Sequence, residues 1–151
     1  MQDCGIVRTF SDYNGLIEEE YYQVNGKKNG LYTLYDINGS IIRTIEYVND
    51  MKHGEYITFY DFPNKIEYKC HYVNNIKEGE VIFYHKNGKI DNICFYKNGK
   101  ISGIRYWYSE SGNLIKLCNH INGLRQGPCI NYNNDGTVKY ILNYVNDEII
   151  N

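Results

Sequence analysis

The 151-residue sequence contains no alanine, one tryptophan and two prolines. A chain without alanine, and rich in Tyr, Ile and Asn, is poor in helix formers and well supplied with residues that suit strands and turns. It also lacks a long apolar run: no stretch approaches the roughly 20 residues of a membrane-spanning helix. The opening MQDCGIVRTF has no apolar signal core, so a cytoplasmic address is expected. Charge of one sign is missing too. Lys and Arg number 16 against 18 Asp and Glu, a net charge of -2, with no surplus to neutralise nucleic-acid phosphates. There is no C-x-x-C or H-x-x-H pair, no nucleotide loop and no Ser/His/Asp or paired-carboxylate constellation. These gaps point away from an enzyme, a metal site and a cofactor.

What the chain has is periodicity. Gly5, Gly30, Gly54, Gly79, Gly103 and Gly127 follow one another at 24 or 25 residues. An aromatic stands five residues after each: Phe10, Tyr35, Phe59, Tyr84, Tyr108 and Tyr132. A mid-unit turn follows, such as Asn38-Gly39 or Asp135-Gly136, with Pro63-Asn64 as the exception. Later in each unit an aromatic or His precedes an Asn, as in Tyr47-Asn49, Tyr96-Asn98 and His120-Asn122. All 14 glycines open a unit, lie in a mid-unit turn or, as Gly26, Gly99 and Gly123, follow the late Asn, so none remains for a phosphate cradle. Gly and Asn supply the positive φ that tight hairpin turns need. The segments between, such as GLYTLY, GEYITFY and GIRYWY, read as strands. The expectation is an all-β chain in a single domain over 1–151, with six units of strand, tight turn, return strand and a longer loop.

Alternate positions of each first strand share a face. One carries Leu31, Thr33 and Tyr35, the other Tyr32 and Leu34, and neither is cleanly polar. Tyr32, Tyr56 and Trp107 break the alternation and are the candidate binding rings, against the plainer reading of all such rings as core. Lys27, Lys28, Lys52, Lys77, Lys100 and Arg125 are expected in the inter-unit loops, as a basic rim that could meet anionic lipid or simply confer solubility. Cys70, Cys94 and Cys118 occupy one repeat position. Equivalent positions lie two strands, about 9.5 Å, apart. That exceeds the reach of a disulfide, so the cysteine ladder is expected to stay reduced.

Units such as NGKKNGLYTLYDINGSIIRTIEYVND and NGKISGIRYWYSESGNLIKLCNHING resemble MORN repeats, in the variant form N-G-K-x-x-G-x-x-x-x-Y-x-x-x-G-x known from bacteria and giant viruses. The heavy use of Ile, Asn, Lys and Tyr fits an AT-rich genome, and the host cytoplasm if the source is viral. The resemblance runs from Gly5 to Asn151, although Tyr-x-Gly-x-Trp starts are missing and Trp appears only as Trp107. It implies an elongated, twisted sheet of tandem β-hairpins and a non-enzymatic scaffold for protein-protein contact or self-association. A membrane-lipid adaptor or an antitoxin-like binding protein is the alternative it implies. The protein partner is not specified by the residues. A homodimer through a terminal edge strand is expected, because an open meander leaves strand edges to pair.

Overall fold

The computed structural model describes residues 3–60 and 65–150. Among them there is no helix: the protein is all-β, an open antiparallel hairpin meander of 14 strands. The Pro63-Asn64 turn lies outside the described residues. By contacts the chain divides into two compact units, 1–76 and 77–151.

The first unit holds β1 (Cys4–Phe10), β2 (Ile17–Val24), β3 (Lys27–Tyr35), β4 (Ile41–Val48), β5 (Met51–Phe59) and β6 (Ile66–Val73), each paired with the next. The second holds β7 (Ile76–Tyr84, entering at Lys77), β8 (Ile90–Lys97), β9 (Lys100–Ile101), β10 (Gly103–Tyr108), β11 (Leu114–Ile121), β12 (Leu124–Tyr132), β13 (Val138–Val145) and β14 (Glu148–Ile150). The two-residue β9 pairs only with β8, and β10 resumes its line after Ser102.

The two kinds of connection have the opposite lengths from those expected. Between repeats the chain reverses in two residues: Asn25-Gly26, Asn49-Asp50, Asn74-Asn75, Asn98-Gly99, Asn122-Gly123 and Asn146-Asp147 all have positive φ. This is the mirror-image turn that matches strand twist, and Asn tolerates it best after Gly. Where the second residue is not Gly, its side chain is tied down. Asp50 Oδ1 accepts the Lys28 N–H at 2.7 Å, Asn75 Oδ1 that of Lys52 at 2.8 Å, and Asp147 Oδ1 that of Arg125 at 2.8 Å. The mid-unit turns are the longer ones, closed for instance by Asp36 N–H to Ser40 O at 2.8 Å.

A consequence is that Lys27, Lys28, Lys52, Lys77, Lys100 and Arg125 stand on strands, not in loops. The glycine opening each sequence unit is not in a turn either. Gly30 sits at φ 85 within β3, where the pairing shifts between Tyr21 and Gln23. Gly54 sits likewise in β5 at φ 117. It is a bulge glycine, an extra residue that kinks the strand without ending it.

Each unit buries one row of side chains along its strand-to-strand pairing. In the first unit the row runs Val7, Tyr21, Tyr32, Ile45, Tyr56, Cys70. In the second, Val81 faces Cys94, and Arg105, Cys118, Cys129 and Leu142 follow in register. Val81, Cys94, Cys118 and Cys129 are fully buried. The face bearing Tyr32 and Leu34 is therefore the ring-bearing packed face, while Leu31 on the other side is 55% exposed.

One cysteine expectation is overturned. Cys118 is bonded to Cys129, with Cα atoms 4.2 Å apart. Comparing only equivalent positions missed this pair. Cys129 lies 11 residues on, directly opposite Cys118 across the repeat boundary, one strand spacing away rather than two. Cys70 and Cys94 are free and buried.

Two stability tests follow. Closing an 11-residue separation stabilises by about 3 kcal/mol in the chain-entropy picture. Urea unfolding of Cys118→Ser/Cys129→Ser should show a loss of that order, and an unchanged midpoint would contradict the bridge. A Cβ at Gly54 would collide with the Glu46 side chain, whereas the equivalent Gly79 faces open space. Gly79→Ala should cost about 1 kcal/mol through its backbone alone, and Gly54→Ala distinctly more.

Candidate binding face

The strongest recurring chemistry is a ring with a cation on it. The residue two before each bulge glycine sends its charged head over the late tyrosine of the same repeat. Lys28 Nζ lies 5.7 Å from the Tyr47 centroid, and Lys52 Nζ 5.2 Å from Tyr72. In the second unit Lys77 Nζ is 4.8 Å from Tyr96, and the Arg125 guanidinium 4.0 Å from Tyr144. The repeat at Gly103 lacks both members together: Ile101 replaces the cation and His120 the tyrosine. Each such contact stabilises by roughly 0.5–1 kcal/mol, and the aliphatic stems shield ring surface as well.

The three candidate rings all lie on this face, in different surroundings. Tyr32 is buried, stacked 6.1 Å from Tyr21 and edge-on to Tyr47 at 6.0 Å, with Lys28 Nζ 4.4 Å above it. Burial, reinforced by Glu19, pushes its phenol up to about 12 against the opposing pull of Arg43. Tyr56 is half-buried and packs on Tyr68 and Tyr72, both at 5.8 Å. Burial lowers the Arg43 guanidinium, but Tyr56 and Tyr32 together hold it above its usual range.

Trp107 packs on the Cys118–Cys129 cluster of the second unit. The Arg105 guanidinium lies 4.7 Å and Lys116 Nζ 5.0 Å from its centroid. Arg105 donates from Nε and Nη2 to Asn92 Oδ1, at 3.1 and 2.8 Å. Burial lowers the Lys116 ammonium below its usual range, and Arg125 and Arg105 lower it further. His120, 6.5 Å from Trp107, is buried with Nδ1 3.1 Å from the Cys118 carbonyl, and desolvation keeps it below the ordinary His value. Of the remaining candidates, Lys27 and Lys100 are exposed on strands β3 and β9.

On the strands of the first unit, Glu20 and Glu55 sit opposite the ring face, paired with Arg8 and Lys69. In the second unit the ring face gathers Lys77, Arg105, Lys116 and Arg125. Among the described residues, neither Arg105 nor Lys116 is in an ion pair; Arg125 pairs with Asp147 at 2.8 Å. Arg43, Arg105 and Lys116 were missed in sequence because they emerge only when the return strands are placed in register: Arg43 opposite Leu34, Arg105 opposite Cys118, Lys116 opposite Trp107.

Residues 77–98, 101–122 and 125–146 each match the MORN repeat variant family. Residues 77–146 thus carry three consecutive MORN-variant repeats. All three matched MORN repeats lie in the second unit, and each runs from one two-residue turn to the next. MORN repeats are protein- or membrane-binding modules. No curated protein matches the chain. Among solved structures, an S. aureus TarM mutant in complex with fondaparinux, alpha-GlcNAc-glycerol and UDP is similar at 17% identity and a TM-score of 0.42. The match covers 64% of this chain and 19% of that one. That similarity is too low to bear on fold or function.

Asp147 offers a direct check of the cation positions. The hydrogen bond from Arg125 holds its carboxyl below the ordinary 3.8. A depressed carboxylate contributes stability above its unfolded value, and loses it as pH falls through the folded one. NMR titration should place Asp147 below 3.8 in the native chain, and Arg125→Gln should move it up. Coincident curves would show that the pair does not form.

Proposed function

We propose that this chain is a non-enzymatic scaffold that binds another protein across the face carrying its rings and cations. The observation that supports this reading is distribution. Lys28–Tyr47, Lys52–Tyr72, Lys77–Tyr96 and Arg125–Tyr144 repeat one arrangement along the chain and do not converge on a single reacting point. Tyr, Trp and Arg are the residues that anchor protein interfaces, because they offer large, rigid area with a polar handle. Here they are already held in place by their neighbours, so little side-chain entropy remains to be lost on binding.

A second copy of the chain is the alternative partner. It is favoured by β14, which pairs with β13 and leaves Ile149 58% exposed. An anionic membrane is the other alternative, favoured by the exposed Lys27 and Lys100.

Affinity capture from the native cell at two salt concentrations tests the reading. The scaffold predicts one protein recovered in near-equal ratio at both salts, and recovery of lipid-associated material alone would reject it. Light scattering separates self-association: a concentration-dependent rise above 17.8 kDa supports a second copy, and a constant mass removes it.

A further inference from the structure

At Trp107 two cations, Arg105 and Lys116, meet one ring. Both charged heads lie within 5.0 Å of its centroid, so they are less than about 10 Å from each other. They come from diagonal positions on β10 and β11, since Trp107 opposes Lys116 and Arg105 opposes Cys118. No ion pair balances them among the described residues, and a third cation, Arg125, already raises the local field against Lys116. Like charges held this close on a half-buried surface repel, and an anion placed between them would relieve that repulsion.

The geometry also leaves a suitable donor edge. Asn92 takes Nε and Nη2 of Arg105, which fixes the guanidinium plane. The end formed by Nη1 and Nη2 remains the edge that can grip two oxygens side by side. Lys116 would add a point charge beside it, and Trp107 an apolar floor for the methylenes of an incoming side chain.

We propose that the ring face of the second unit docks an acidic peptide segment, with a Glu or Asp carboxylate held between Arg105 and Lys116 over Trp107. This rests on the protein-scaffold reading and specifies the chemistry of the partner. The charges argue for a peptide over a bilayer surface. Arg105 and Lys116 are half-buried on strands, and Asn92 fixes the orientation of Arg105 between Phe83 and Trp107. A carboxylate on a slender side chain reaches such a site, whereas a flat headgroup layer meets protruding, mobile lysines best.

The test uses the full chain and the emission of Trp107, its only tryptophan. The probe is a deca-glutamate peptide, with deca-glutamine as neutral control and phosphatidylserine vesicles as the lipid arm. Deca-glutamate should change Trp107 emission saturably, more weakly at high salt, and deca-glutamine should not. R105Q/K116Q should weaken the peptide by at least roughly tenfold. K97Q/K139Q, the same charge loss on exposed residues of the opposite face, should leave affinity within about twofold. Should the double variant fail to fold, K116Q alone carries the comparison. No emission change with deca-glutamate, equal affinity in R105Q/K116Q, or vesicle binding without peptide binding each overturns the proposal. A natural partner captured equally by native chain and R105Q/K116Q would overturn this site while leaving the scaffold reading intact.

Discussion

Within each unit the described residues form no helix to cover the strands, so the core has to be built sideways. In this protein burial comes from neighbours along the strand-to-strand direction, so every large side chain on the packed face must be covered by the strand beside it. That constraint explains the choice of residues. Where the row is central it can be small and fully enclosed, as at Val81, Cys94, Cys118 and Cys129. Where tyrosines occur, the stems of Lys28, Lys52, Lys77 and Arg125 supply cover that another layer would otherwise give. The same side chains therefore stabilise the sheet and furnish its binding chemistry. The repeat at Gly103 has Ile101 and His120 at these positions and so lacks the pair.

Much of this was readable from spacing. Asn and Gly recurring at fixed intervals mark chain reversal, and strands between them follow from Tyr, Ile and Phe. The glycine of each unit start misled, because Gly signals positive φ without saying whether the chain turns or merely bulges. Gly30 and Gly54 bulge, so the lysines next to them belong to strands and lie over rings. The packed face was not legible either. Both alternating sets contain aromatics, and only the register of the return strands separates them.

The disulfide shows the same limit from another side. A repeat alignment compares Cys118 with Cys94 and Cys70, its equivalents. Its physical neighbour is Cys129, which occupies a different repeat position. In a tandem array, the contact across a repeat boundary joins unlike positions, and that relation is invisible to alignment of like with like. Arg43, Arg105 and Lys116 escaped notice for a different reason: their partners lie within one hairpin and appear only once the return strand is in register.

The bridge has a further consequence for how the second unit comes apart. In an array where each strand touches only its neighbours, opening can proceed from an outer strand inward, one hairpin at a time. Fraying that begins at β14 and passes β13 reaches β12, where Cys129 is bound to β11. Beyond that point the unzipping must release two strands together. Local opening is therefore divided into an outer stretch that breathes alone and an inner stretch that opens only as a block, and Trp107 belongs to the inner one.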